Sequence, residues 1–322
     1  MLYLFFMKIF FSFLFSFFSV VAFTQQKFDK ELTFINDNDL YISTSQDRYY
    51  TNGMFLSYHY VSSKNSTKSD KKIYGITLGH EIYTPFKAVV NDVTLHDRPF
   101  ASHVFAGFSI QNFYKNNSIF RFETQLGVLG PSSYGEELMG IIHDIYGFKD
   151  AVGWKYQISD ALALSFKGTY IKLISRLSSS AIDLNWKSTL SIGTIYNYVS
   201  TGLYSRVGVI SLQNTKNSLA FKGHLNNVLS ESTTKKEVFF YINPMLRYVA
   251  HDATIQGSFL NNNSTVTYSI NPVIFTSEFG IRFTLNRIHF GYSATYHSKK
   301  LKSFRVPNGN FYGSIQLNYL FR

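Results

Sequence analysis

The chain has 322 residues, 45% of them hydrophobic, which excludes wholesale disorder and leaves room for two average domains or one large all-β barrel. It has no cysteine, which excludes disulfides, thiolate metal sites, iron–sulfur clusters and a cysteine nucleophile. Charged residues are only 16% against 18% aromatics, and the net charge of +11 suits an anionic membrane face or nucleic acid.

Residues 1–24 read MLYLFFMKIFFSFLFSFFSVVAFT. Lys8 precedes an apolar run from Ile9 to Phe23, broken only by serine, and Ala22 and Thr24 give way to Gln25-Gln26-Lys27. This is the charged start, apolar middle and small-residue exit of a secretory signal peptide. A transmembrane anchor is the alternative, but the run is short and no stop-transfer cluster follows. The expected division is therefore a signal peptide over 1–24 and a single domain over 25–322.

Beyond residue 25 no apolar stretch is long enough for a spanning helix, and the chain alternates instead. In Arg287–His297 one face holds Ile288, Phe290, Tyr292, Ala294 and Tyr296; the other holds His289, Gly291, Ser293, Thr295 and His297. Phe120–Val128, Lys72–Tyr83, Thr189–Tyr198, Val238–Tyr248 and Phe311–Phe321 repeat the pattern. A soluble sandwich would turn the apolar rows inward, and a membrane barrel turns them to lipid. The leader, the Tyr and Phe at strand ends and a last strand running almost to the terminus favour the barrel.

About twelve strands are expected, over 29–37, 50–62, 71–83, 100–113, 118–129, 154–173, 180–198, 201–212, 237–250, 271–285, 287–297 and 310–321. The predicted class is thus all-β, an antiparallel transmembrane β-barrel. With the N-terminus periplasmic, the long loops 38–49, 84–99 and 130–153 fall on the outer face, as barrels prefer. Segment 213–236 is long yet falls on the periplasmic side, so either the strand count fails there or that turn is elaborated. Within 135–147, Leu138, Ile141, Ile142 and Ile145 form a helical stripe, with Glu136 and Glu137 in the first turn and Gly147 as the stop. A short outer-loop helix able to lie against the barrel wall is expected, with His143 at the edge of its stripe.

Chemistry has few candidates. Asn36-Asp37-Asn38-Asp39 offers hard oxygen ligands suited to Ca²⁺, or an Asx-rich turn. Asp47-Arg48-Tyr49-Tyr50-Thr51-Asn52-Gly53 lies beside it if strands one and two form a hairpin. His143 can serve as a general base near neutral pH, or as an ordinary satisfied polar residue. Gly-x-Ser-x-Gly, His-Glu-x-x-His and phosphate-cradling glycine loops are missing from the sequence. The Lys and Arg residues are scattered rather than striped, so no nucleic-acid partner is expected.

Several ordered blocks resemble the outer-membrane lipid A 3-O-deacylase family. They are Phe34-Ile35-Asn36-Asp37-Asn38-Asp39 with Asp47–Gly53, Ile82-Tyr83-Thr84-Pro85, Asp97-Arg98-Pro99-Phe100-Ala101, Leu126–Pro131, Gly135-Glu136-Glu137 leading to His143, and Gly153-Trp154 before Gln157. They cover 34–157; the C-terminal half matches in barrel character only. The resemblance implies a twelve-stranded barrel with its site between the outer wall and a loop helix. It also implies a Ca²⁺ ion and a histidine-assisted ester hydrolysis of the phospholipase-A2 kind.

Carried over by position, the implied catalytic residues are His143, Asp37, Asn36 and Thr51, with Asp37 and Asp39 toward the metal. Arg48, Arg98, Met139 and Lys149 fall at the expected substrate surface, where the basic ones would attract lipid A phosphates. The family often has Gln at the position of Met139. A Glu and a Tyr that follow the histidine in some members are replaced by Lys149 and Ala151, and a basic residue of the second outer loop is matched only by Lys87. The implied function is lipid A deacylation in the outer leaflet of a Gram-negative outer membrane, with lipopolysaccharide as partner and no protein partner. The alternatives are a non-catalytic barrel that binds lipid A, a porin or scaffold, and a secreted β-sandwich binder.

Overall fold

The computed structural model describes residues 27–42, 48–63, 69–86, 89, 92–147, 149–177, 180–226, 236–303 and 305–322. The signal segment expected over 1–24 lies outside the described residues, as do Asp47 and Lys87. The strands are β1 (Lys30–Asn38), β2 (Tyr49–Val61), β3 (Lys71–Thr84), β4 (Ala101–Phe113), β5 (Ser118–Leu129) and β6 (Ala161–Arg176). They continue as β7 (Ile182–Gly193), β8 (Tyr196–Gly208), β9 (Val238–Asp252), β10 (Val273–Leu285), β11 (Ile288–Ser298) and β12 (Gly309–Phe321). Each pairs antiparallel with its sequence neighbour, and β1 pairs with β12, so the twelve strands close into a barrel. Strands of 9–16 residues are long enough to cross a bilayer when tilted.

Side-chain polarity is inverted relative to a water-soluble protein. Leu78 and Leu126 on the outer face are each 58% exposed, while Thr33 and Asn185 on the inner face are 0% exposed. On β11, His289, Ser293 and His297 are buried and Ile288 and Tyr292 exposed, as the alternation predicts. A continuous apolar exterior of this kind belongs in hydrocarbon. The sandwich alternative, which needs interlocked Phe and Tyr rows inside, does not match this arrangement.

The largest departures from the expected strand bounds fall at the start of β6 and at the β7–β8 turn. β6 starts at Ala161 rather than at 154, because Trp154–Tyr156 form a 3-10 turn whose Trp154 is buried outside the strand. The run read as alternating over 189–198 contains a chain reversal. Asn197 accepts a hydrogen bond from Gly193 N–H at 2.8 Å and donates to Gly193 C=O at 2.9 Å, so a side-chain amide closes the β7–β8 hairpin. Alternation alone hides such a turn, since both strands keep the same period.

The long segment on the side of the termini is an elaborated turn. The described part of the β8–β9 connection, residues 209–226, folds into the barrel end as a plug. Leu212, Leu219, Phe221 and Leu225 pack against wall residues including Phe113, Tyr204, Phe239 and Leu320. Lys71 Nζ donates to the carbonyls of Lys216 and Gly223 and to Asn226 Oδ1. Arg206, 0% exposed, joins Asp183 on β7 to Glu237 at the root of the plug, with Nη1 3.0 Å from Glu237 Oε1. Glu237 in turn accepts the Gln213 and Leu219 backbone N–H groups.

At the opposite end Tyr50, Tyr83, Leu129, Ile158 and Ile195 form a second packed cluster. Between the two lies a polar cavity of about 620 Å³ lined by Glu81, Arg121, Lys167, Arg247 and Arg282. An interior packed at both ends gives the porin alternative little support. Arg206→Ala leaves Glu237 buried without its cation and Asp183 with Arg176 alone. It is expected to destabilise the barrel by about 3–5 kcal/mol, read as a lower urea midpoint for the protein folded in detergent. An unchanged midpoint would show that this network does not hold the plug.

Candidate active site

The strand period decides which face each residue of the acidic cluster takes. Leu32 and Phe34 are exposed on the outer face of β1, which puts Asn36 and Asn38 on that face and Asp37 on the other. Asp37 lines the lumen with Glu278, Arg282 and Tyr312, and its carboxylate accepts the Tyr50 hydroxyl at 2.9 Å. Asn38 caps a short turn, Asp39–Tyr41, by accepting the Leu40 N–H at 2.8 Å. Asp39 is buried and its carboxylate accepts the Arg48 backbone N–H. Asn36 is clamped, accepting from the Tyr41 hydroxyl and donating to Gly53 C=O at 3.0 Å.

The expected loop helix is α1 (Gly135–Tyr146). Tyr134 enters it in the left-handed region at φ 58°, and Gly147 ends it at φ 70°, its N–H turned back to His143 and Asp144 carbonyls. Gly135 lets the helix meet the wall: a Cβ there would stand 2.2 Å from the Ser102 side chain. The face turned to the barrel differs from the predicted stripe. Met139 is buried with Ile82, Phe100 and Trp154, and Leu138 and Ala151 pack around them. Ile141 and Ile145 remain 57% and 74% exposed. The wall selects residues 135, 139 and 143, one turn apart, because the glycine allows closest approach there.

His143 is therefore buried, on the wall side of the helix. Its Nδ1 lies 2.6 Å from Lys149 C=O. A carbonyl only accepts, so Nδ1 carries the proton and Nε2 is the nitrogen able to take one. The imidazole shares a narrow outer-wall cleft with Asn38, Leu40, Thr51, Asn52, Ile82 and Met139. Thr51 reaches it through a β-bulge: the β2–β3 register shifts between Tyr50 and Asn52, and Thr51 is the inserted residue. Its hydroxyl is 2.6 Å from that of Thr84. Asn52 Oδ1 is buried with no hydrogen-bond partner among the described residues.

The fold thus brings together His143, Thr51 and Met139 of the expected set, and adds Asn38 and Asn52. It parts Asp37 from His143, since the two occupy opposite faces of the barrel wall. The family resemblance grouped them; parity along β1 was the signal that separates them. Arg98 also lies apart. It is buried, donates to the Tyr49, Pro99 and Thr254 carbonyls and stacks on Tyr83, which makes it an internal staple of the barrel mouth. Lys149 contributes its carbonyl to His143, and Arg48 stands over the Tyr49 ring.

The donors around His143 suit an oxygen-seeking cation by type, with the Asn52 oxygen unsatisfied and the Thr51 hydroxyl adjacent. The carboxylate pair expected to hold it does not converge there, because Asp37 faces the lumen and Asp39 takes the Arg48 N–H.

Comparison with known proteins sets this geometry in a family. The family model described as outer membrane protein LpxR matches residues 9–321. LpxR from Salmonella typhimurium superposes with a TM-score of 0.70 at 18% identity, covering 90% of this chain and 100% of that one. The β domain of the Bordetella autotransporter BrkA is 7% identical with a TM-score of 0.48, covering 92% of this chain and 99% of its own. The translocator domain of the autotransporter NalP from Neisseria meningitidis is 8% identical with a TM-score of 0.38, covering 92% and 90%. Sequence comparison with curated proteins gives no significant match. With the family matched from residue 9 almost to the last residue, the chain belongs to the LpxR family of outer-membrane proteins, the lipid A deacylases that its sequence blocks resemble.

Proposed function

We propose that this protein is a lipid A deacylase that hydrolyses an acyl ester, the 3-linked one by family resemblance, with the loop end of the barrel turned to the outer leaflet. The observation that carries the reading is the orientation of His143. Its Nδ1–H is held by Lys149 C=O, which aims the basic Nε2 chemistry at a cleft on the lipid-facing wall. Exposed Ile141 and Ile145 on α1, with Leu78 and Leu56 on the neighbouring strands, offer apolar surface to acyl chains. The substrate thus approaches along the outer wall, and the plugged lumen takes no part.

In this mechanism His143 Nε2 removes a proton from water, and the hydroxide formed attacks the ester carbonyl. The proton then passes from the imidazolium to the leaving sugar oxygen, releasing a fatty acid. Asn38, Asn52 and Thr51 orient the water and the ester group. Met139 and Ile82 keep the cleft floor apolar, which strengthens each polar contact made there. A calcium ion, expected from the resemblance, would be held by Asn52 Oδ1, Thr51 and water, with Asp37 playing no part, and would supply positive charge against the developing oxyanion.

His143→Ala is expected to lower fatty-acid release from lipid A by at least about 10²-fold, measured by mass spectrometry of lipid A incubated with the detergent-folded barrel. Release at the wild-type rate would remove the base assignment. Chelation with EGTA should abolish turnover and added Ca²⁺ restore it. Asn52→Leu should raise the Ca²⁺ concentration needed for half-restoration by about tenfold or more. Full turnover in EGTA would dismiss the ion.

A further inference from the structure

A second group of ligating side chains sits at the other end of the barrel, on the inner face, away from the candidate active site. Glu31 on β1, His224 in the plug and His289 on β11 are all buried, and one donor atom from each lies within 4.8 Å of the others. Glu31 Oε2 is 2.6 Å from His224 Nε2. The His224 and His289 rings meet edge to face, with centroids 4.5 Å apart. His289 is only 1% exposed, yet neither of its ring nitrogens has a hydrogen-bond partner among the described residues. An imidazole buried with both nitrogens unsatisfied is costly and needs an explanation.

We propose that Glu31, His224 and His289 form a buried transition-metal site, of the kind that takes Zn²⁺, which pins the plug to the barrel wall. Two imidazoles and one carboxylate are a borderline donor set that suits Zn²⁺ and Co²⁺ far better than Ca²⁺ or Mg²⁺. The ion replaces the proton between His224 Nε2 and Glu31 Oε2 and gives His289 the partner it lacks. Bonds of about 2.0–2.2 Å place tetrahedral donors about 3.4 Å from one another, so Glu31 Oε2 and His224 Nε2 spread from 2.6 Å to admit the ion and the His289 nitrogen closes on it from within 4.8 Å. The surroundings already hold the carboxylate in place. Thr33 Oγ1 donates to Glu31 Oε1 at 2.9 Å, and His59 Nδ1 faces the same oxygen at 3.5 Å. Lys222 Nζ donates to His59 Nε2 at 2.6 Å. Supporting shells of this sort orient metal ligands.

The consequence is structural. Two ligands lie on strands flanking β12, the strand that closes the barrel, and the third comes from the plug. The ion therefore ties the plug to the closing seam. Detergent-folded protein, stripped with chelator and given ZnCl₂, should retain about one Zn²⁺ per chain after gel filtration, by elemental analysis, and unfold at a higher temperature. Co²⁺ in its place should give the visible ligand-field bands of a low-coordinate site with nitrogen donors, a readout that needs no variant. His289→Phe and Glu31→Gln should each lower retained Zn²⁺ about tenfold or more, with folding checked by heat-modifiable gel migration, while His143→Ala keeps it. Wild-type protein that retains no Zn²⁺ and gives featureless Co²⁺ spectra would overturn the site. So would a folded His289→Phe protein that keeps the metal.

Discussion

Closure of the ladder is the constraint on which everything else depends. In hydrocarbon each backbone N–H and C=O needs an internal partner, and the β1–β12 pairing supplies the last of them. Once the ladder closes, each strand has one lipid face and one enclosed face, and the period of two assigns every side chain to one or the other. Leu78 and Leu126 turn to lipid while Thr33 and Asn185 turn inward, although the reverse would hold in water.

Closure also creates an interior that must be filled. A polar interior lowers its energy by pairing, as Arg121 and Lys167 do with Glu123 at 2.9 and 3.0 Å. The ends are sealed by packing, with the β8–β9 plug at one and an aromatic cluster at the other. The plug is held by charge through Arg206 and by the carbonyl contacts of Lys71, and the inferred metal site adds a tie at His224, next in the chain to Gly223. With the inside committed to pairing and packing, the proposed lipid substrate is assigned to the outer wall. α1 lies there with His143 turned toward the strands and two isoleucines turned away.

The strands, the inverted polarity and the loop helix were legible because they are local. Alternation over ten residues marks a strand, and Gly147 with two leading glutamates marks a helix and its ends. The hairpin at Gly193 and Asn197 escaped, because a turn closed by a side-chain amide leaves the polarity pattern unbroken. The wall-facing side of α1 escaped too, since Gly135 and not hydrophobicity sets the closest approach. Of the candidate site, His143, Thr51 and Met139 were within reach of the sequence. Asn52 belonged to the Asp47–Gly53 block and takes the outer face by the same parity as Leu56; the bulge that turns Thr51 onto the cleft beside it leaves no such signal.

The sequence by itself determined an antiparallel membrane barrel of about twelve strands with a helical outer loop and a histidine upon it. Those features follow from period, composition and short capping signals, which the chain carries residue by residue. The tertiary structure decided which acidic residue meets which partner. Asp37 and His143 are separated by the thickness of the wall, while Glu31 and His224, 193 residues apart in sequence, share a hydrogen bond. Contacts of that kind depend on register, on one inserted residue in β2 and on where a plug comes to rest, and none of these leaves a periodic trace in the chain.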